Sequence, residues 1–329
     1  MLLLQCSNSL LSICIPTYNR AHYLDDCLNS LKVQLDANKD LATLIEIVVS
    51  DNASSDKTQE IVQKYKNYFS NFKSSVNEKN LGLDLNFLNV VKNANGTYCW
   101  YLADDDVIVN GGIDFVITIL KKGDYDVVTV GSHPFTEKNY RRRETFTNEF
   151  NYETINGDDF FHKNKTVGGV SNLIFNRILW LECLSDDFLP YWLYYETVLK
   201  MFTKTHKKMI DVPQTLVYTG QDCRWAENGS ELITFVNSNV LLERMIRYGF
   251  DEDKINKAHK KNMKKIPIML LRAKGHGLIC NVKNLHFMRK NLRKVGFIYL
   301  TLATAIFFLP NFLVILARDA KKQLVKFLK

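Results

Sequence analysis

No two of the seven cysteines stand in a CxxC pair. Cys6, Cys14, Cys27, Cys99, Cys183, Cys223 and Cys280 are scattered and odd in number, which argues against a disulfide framework or a cysteine zinc site. They read as reduced cytosolic thiols. The seven histidines form no ligand-spaced pair, and the chain has no internal repeat and no low-complexity tract. The apolar start, MLLLQCSNSLLSICIP, lacks the basic leader of a signal peptide and reads instead as the approach to a first core strand. Acids are nearly missing from the end of the chain. Lys254–Lys329 holds 18 Lys or Arg and one acid, Asp319, a net +17, whereas residues 1–253 hold 25 basic and 34 acidic residues, a net −9. This basic tail carries no nucleic-acid motif, and its lysines alternate with long aliphatic runs, so nucleic acid is set aside as a partner.

What is present is a chain of 329 residues, 46% hydrophobic and 24% charged, enough for one large α/β domain and an appendage. Strands are predicted at Leu10–Ile15, Leu44–Val49, Phe72–Val76, Thr97–Ala103 and Tyr125–Val130. Helices are predicted at Ala21–Gln34, Lys57–Phe69 with Asp56 as N-cap, Gly82–Ala94 and Gly111–Lys122. A hairpin is expected at NYRRRETFT. A strand over Leu173–Phe175, helices over Asn176–Cys183 and Tyr191–Phe202, and strands over Lys208–Val212 and Thr215–Tyr218 follow; beyond Ser230 the pattern is helical. Strands alternating with helices predict an α/β fold with a doubly wound, mostly parallel sheet. Ligands of such sheets bind beyond the carboxyl ends of the strands. Three polar clusters fall there: PTYNR, SDNASSD, and the aspartates of WYLADDDVIV.

Asp104, Asp105 and Asp106 interrupt an apolar run. Two carboxylates about 5 Å apart repel by roughly 3 kcal/mol at an effective dielectric near 20. Water, protonation, a helix N-terminus or a cation has to offset this. The aspartates also read as caps for the helix beginning at Gly111.

ICIPTYNR, IVVSDNASSD, the NxGxxxN of Asn80–Asn86 and WYLADDD, in that order and spacing, resemble family 2 glycosyltransferases of the GT-A fold, over roughly residues 8–220. The resemblance implies a nucleotide-diphosphate sugar donor and a divalent cation, Mn²⁺ or Mg²⁺, which hard carboxylate oxygens suit. By similarity to the family's DxD motif, Asp106 is the direct metal ligand. Asp104 touches the metal's water or the ribose, and Asp105 lies between them. Asp51 resembles the family's base-reading acid, with Asn52 beside it, although both also suit a polar turn after a strand. Pro16, Thr17 and Tyr18 line the nucleotide pocket by the same likeness; Tyr18 equally suits the core. Asp84 sits where the family has a nucleotide contact, and where an acid also favours a helix dipole.

Inverting transfer needs a base for the acceptor hydroxyl. Gly168-Gly169-Val170-Ser171 resembles the family's acceptor-side segment, but the usual acidic pair after it is degraded. Glu196 is the first candidate for the base and Asp187 the second, with Asp186 also near. Gln221–Trp225 spells QDCRW, a match to processive synthases, but without their set of transmembrane helices it is read as chance or as a local sugar contact by Trp225. Gly296–Ala317 is apolar over about a spanning length, interrupted at Pro310-Asn311 and flanked by basic residues. With the lysines that follow, it reads as a helix in the interface of an anionic membrane, as a single span, or as a buried pair.

These readings predict a GT-A domain over 1–228 and a helical region over 229–329, its membrane-interface segment at about 289–329. The expected activity is inverting transfer to a lipid-linked or oligosaccharide acceptor in bacterial surface-glycan synthesis, at the cytoplasmic face of the plasma membrane, peripheral or monotopic. A sugar nucleotidyltransferase is the alternative enzyme, though PTYNRAHY lacks its Gly-rich phosphate loop. A membrane-tethered nucleotide-sugar-binding protein without catalysis is the other.

Overall fold

The computed structural model describes residues 9–135, 152–155, 169–204, 208–220, 230–292 and 297–327. The hairpin predicted at NYRRRETFT, Gly168 and the QDCRW segment lie outside the described residues. The chain forms two compact units. One holds the residues up to Asp186 and Tyr194–Gln221; the other holds Asp187–Leu193 and the residues from Asp222 onward.

The first unit opens with β1 (Leu11–Thr17), buried along its whole length. It lies between β2 (Ile45–Asp51) and β4 (Tyr98–Tyr101), parallel to both. A strand covered on both faces needs a continuous apolar run, and LSICIPT supplies most of one. Between β1 and β2, α1 (Ala21–Ala37) turns Leu24, Leu28, Leu31 and Leu35 inward at helical spacing, and α2 (Lys39–Leu44) follows. α3 (Thr58–Lys66) and β3 (Phe72–Val76) come next, β3 pairing parallel with β2. The Asp56 carboxylate accepts from the Thr58 N–H and hydroxyl, so it closes the first turn of α3 from one position outside the cap. α4 (Leu83–Asn93) leads to β4, then β5 (Val107–Ile108), α5 (Gly112–Lys122) and β6 (Tyr125–Pro134).

The sheet departs from a simple parallel order beyond β4. With β7 over Glu153–Ile155, β8 over Leu173–Asn176 and β9 over Lys208–Thr219, its order is β3-β2-β1-β4-β8-β6-β9-β5, and β7 also pairs with β9. β8 inserts antiparallel between β4 and β6, so the sheet is mixed. α6 (Arg177–Glu182) and α7 (Leu193–Lys204) follow β8; α7 starts two residues later than predicted, after Tyr191 at φ 68°. The two strands predicted around Pro213 are one, β9 (Lys208–Thr219), parallel to β6 and antiparallel to β5. The register shifts beside Gly131 accommodate Pro213: a Cβ at Gly131 would lie 2.6 Å from the carbonyl oxygens of Pro213 and Gln214. β4 ends at Tyr101 rather than at Ala103, because the chain turns at Asp104.

The second unit is helical: α8 (Ser230–Arg247), α9 (Glu252–Met263), α10 (Ile266–Gly275), α11 (Val282–Asn291), α12 (Phe297–Phe308) and α13 (Asn311–Phe327). Its core gathers Leu232, Val236, Leu270, Met288 and Ile306 among others.

Candidate functional site

Thr17 and Asp51 are paired residues at the carboxyl ends of β1 and β2. β4 ends beside β1, its next residue Leu102 donating to the Cys14 carbonyl. Three strand ends thus deliver PTYNR, SDNASSD and the aspartates to one rim, where a parallel sheet places its ligands.

The acidic turn is held by donors from distant parts of the chain. Asp104 Oδ2 accepts from the Thr17 hydroxyl at 2.7 Å, and Oδ1 accepts from Arg20 Nη1 at 2.7 Å. The same guanidinium nitrogen lies 3.2 Å from Asp105 Oδ1. Asp106 Oδ2 accepts from the Ser171 hydroxyl at 2.5 Å, and Oδ1 accepts from the Gly220 N–H at 2.8 Å. Ser171 is itself fixed, its Oγ accepting from the Ala103 N–H and its carbonyl from Trp100 Nε1. Asp104 and Asp106 are both buried. Burial pushes Asp104 up to about 6, against the pull of Arg20 and Thr17. Burial also pushes Asp106 up to about 7; Ser171 and Gly220 oppose this, while Asp105 and Asp104 add to it. The helix-cap alternative fails, because the N-cap of α5 is Gly111 and no side chain caps it.

Among the described residues, three carboxylates meet one guanidinium here, Arg20, set against Asp104 and Asp105. Each Asp106 oxygen has one protein donor and two acceptor positions, so each retains a site for a hard cation. Among the described residues, no three or more His, Cys, Asp or Glu side chains are grouped to hold a metal. Mg²⁺ and Mn²⁺ do not need such a cage, since they bind through one or two carboxylates and complete their shells with phosphate and water. The residues present therefore fit a cation shared with a phosphate ligand, held by Asp106 with Asp104 beside it.

Asp51 is buried, and its carboxylate accepts from the Ser54 N–H and hydroxyl and from Gln59 Nε2. Pro16 is buried in β1, while Tyr18 is 42% exposed and so does not pack in the core. Asn52 works inside the fold. Its Nδ2 donates to Asn80 Oδ1 and the Gly82 carbonyl, and its Oδ1 accepts from Asn77 Nδ2 and the Leu81 N–H. Asn86 likewise donates to the Ser50 and Thr17 carbonyls. The NxGxxxN motif is thus a polar lattice beneath the rim, tying the ends of β1 and β2 to α4. Asp84 is half-buried in the first turn of α4. Its charge adds to the burial that holds Tyr101 and Tyr194 above the ordinary phenol range.

The two base candidates have different settings. Glu196 lies in the first turn of α7, fully buried, with Lys200 Nζ 3.9 Å from its Oε1. Asp187 belongs to the helical unit, where its 84% exposed side chain pairs with Arg244 Nη2 at 2.8 Å. Asp186 is exposed.

Three contributors were not singled out in the sequence: Arg20, Ser171 as a partner of Asp106, and Gly220. Arg20 stands inside PTYNR, and three aspartates lacking a nearby base were a signal for it. Gly220 gives no local signal, because its partners are far away in sequence. A Cβ there would lie 2.5 Å from the Asp105 carbonyl oxygen and 2.6 Å from Asp105 Oδ2. Gly220→Ala is therefore expected to destabilise the fold by about 1–3 kcal/mol, read as a lower urea midpoint with unchanged m-value. An unchanged midpoint would show that the close approach is not obligatory.

The sequence profile described as glycosyl transferase family 2 matches residues 12–180. Over 113 residues the chain is 44% identical to the abequosyltransferase RfbV of Salmonella typhimurium, covering 34% of this chain and 32% of that one. Over 137 residues it is 32% identical to the GalNAc(5)-diNAcBac-PP-undecaprenol beta-1,3-glucosyltransferase of Campylobacter jejuni, covering 39% of each. The matches thus span about a third of these relatives. In fold, the chain resembles the mannosyltransferase PcManGT of Pyrobaculum calidifontis, solved with GDP-Man and Mn²⁺. The TM-score is 0.56 at 15% identity, over 92% of this chain and 86% of the other.

Proposed function

The chain belongs to glycosyl transferase family 2, and from that premise we propose that it transfers one sugar, with inversion, from a nucleotide-diphosphate donor to a lipid-linked or oligosaccharide acceptor of a bacterial surface glycan. The observation that carries this reading is the buried pair Asp104 and Asp106 at the sheet rim, whose ionised forms burial disfavours and a bound cation would stabilise. A bound divalent cation supplies charge neutralisation for a departing diphosphate. The chain's own residues do the rest. Thr17 and Arg20 fix Asp104, while Ser171 and Gly220 fix Asp106, so the carboxylates are oriented before a ligand arrives. Asp51, locked by Ser54 and Gln59, presents an acceptor to a nucleobase N–H. Glu196 takes the proton of the acceptor hydroxyl. The Campylobacter relative's name includes a diphospho-undecaprenol acceptor, which supports a lipid-linked acceptor here; the cytoplasmic face of the plasma membrane as the site of action is part of the same proposal.

A thermal-shift screen of UDP-, GDP-, CDP- and dTDP-sugars with and without Mn²⁺ tests this. One donor class is expected to stabilise the protein only with the cation, by about 2.7 kcal/mol at 100 times its dissociation constant, and to be consumed when acceptor is added. Cation-dependent binding without consumption across a broad acceptor panel would favour a binding protein. Consumption of a nucleoside triphosphate and a sugar phosphate would favour the nucleotidyltransferase.

A further inference from the structure

The helical unit ends in an apolar elbow. α12 buries one face, with Ala303, Ile306 and Phe307 entering the core. Its sequence, FIYLTLATAIFF, is apolar all round, so the opposite face exposes apolar side chains to solvent. At Leu309-Pro310 the chain bends by 93° into α13. Phe308, Leu309, Phe312, Leu313 and Leu316 stand out from the bend and the start of α13, with Phe308 68% and Leu316 62% exposed. On α13 these positions recur at i, i+1 and i+4, which is one helical face.

The elbow is built, not frayed. The Lys274 ammonium is fully buried, donating to the Phe307 carbonyl at 2.9 Å and lying 2.9 Å from Cys280 Sγ. Asn311 Nδ2 donates to the Leu278 carbonyl at 2.9 Å. One contact fixes the last turn of α12 and the other fixes the first residue of α13. An ammonium is buried only where its donors are used, and here they hold an apolar corner against the core of its own unit.

Among the described residues no single helix is long and apolar enough to cross a membrane. α12 has 12 residues, about 18 Å at 1.5 Å each, against roughly 30 Å of hydrocarbon. By length and composition the bent pair also fits a broken span or a re-entrant loop; at 93° its two arms do not add along one axis, which favours entry into a single leaflet. The charge of the sequence that carries the elbow selects the partner: Lys254–Lys329 holds 18 basic residues and one acid. Exposed Phe and Leu within a strongly basic stretch of sequence match an anionic lipid surface, where rings and aliphatic chains enter the acyl boundary and cations meet the head groups.

We propose that the α12–α13 elbow is a wedge that enters one leaflet of an anionic bilayer, held in shape by Lys274. The proposal stands on the helical unit alone and does not rest on the transfer chemistry.

Flotation of the full chain with phosphatidylcholine vesicles, with and without one-third phosphatidylglycerol, tests it. Binding is expected to the anionic vesicles, about tenfold weaker without phosphatidylglycerol, and weaker again in high salt. Phe312→Glu with Leu316→Glu is expected to lower partitioning at least about tenfold. Because both side chains are exposed, the lipid-free melting temperature should not fall. Fluorescence of Phe312→Trp is expected to be quenched by lipids brominated near the head group more than by lipids brominated at the chain end. Absence of flotation, unchanged partitioning of the double variant, or strongest quenching at the chain end would each overturn the wedge. So would a lipid-free dimer that the double variant splits while vesicle binding persists, since the elbow would then cover a second copy of the chain.

Discussion

Asp106→Asn is expected to lower sugar transfer by about 10³-fold, while the ligand-free protein becomes more stable at pH 8 than the parent. The two effects have one origin. Burial raises Asp106 to about 7 in the fold from an ordinary 3.8. Between those values the unfolded chain has lost its proton and the folded chain keeps it. The folded state therefore binds more protons, and stability falls as pH rises from about 4 through 7. Asp104, raised in the same direction, steepens the fall. The asparagine avoids the cost of burying an ionised group, so its advantage should be present at pH 8 and absent at pH 5, where Asp106 is already neutral. Melting curves at the two pH values, with and without Mn²⁺, check this. Mn²⁺ should stabilise the parent more at pH 8 than at pH 5, because it competes with the proton for the same oxygens, and should stabilise the variant little at either. A variant that transfers sugar at the parental rate would remove Asp106 from the machinery. One that is no more stable at pH 8 would show that the carboxylate is less desolvated than its surroundings imply.

That combination of lost activity and gained stability is what a preorganised site produces. Its outline was legible in the sequence, because the signals are local. The apolar runs of β1 and β2, the leucine spacing of α1 and the polar residues after each strand follow from short-range periodicity. The placement of β8 does not. Hydrophobic period tells which faces are buried, not which strand lies next to which, so nothing in Leu173–Asn176 announces that it separates β4 from β6. The partners of the aspartates were hidden for the same reason. Ser171 and Gly220 reach Asp106 across 65 and 114 residues, and only the folded sheet brings them together. Asn52 shows the converse limit. Its position beside Asp51 suggested contact with a donor, yet all its hydrogen-bonding atoms are occupied by the segment from Asn77 to Gly82. A polar residue at a strand end can orient a site from below as readily as face the ligand.

Glu196→Gln is expected to reduce kcat by about 10²–10⁴-fold, the range lost with a general base, while the KM for the donor and the Mn²⁺-dependent thermal shift stay near parental values. Glutamine keeps the size and one acceptor of the carboxylate, so the packing of the first turn of α7 should hold. The Lys200 ammonium, 3.9 Å away, would lose its charged neighbour, and a melting curve reports that cost separately from the kinetics. Asp187→Asn is the contrast. It removes a pair with Arg244 in which the carboxylate is 84% exposed, an interaction of the class that contributes about 0–1 kcal/mol. If Glu196 takes the proton, the asparagine variant should keep most of its turnover and the glutamine variant should lose it. The reverse order would move the base to Asp187. Equal, large losses of kcat in both, with donor binding intact, would mean that neither carboxylate alone does the work. The donor-binding readout makes these outcomes separable, because the acidic turn at the ends of β1 and β4 is untouched by either substitution.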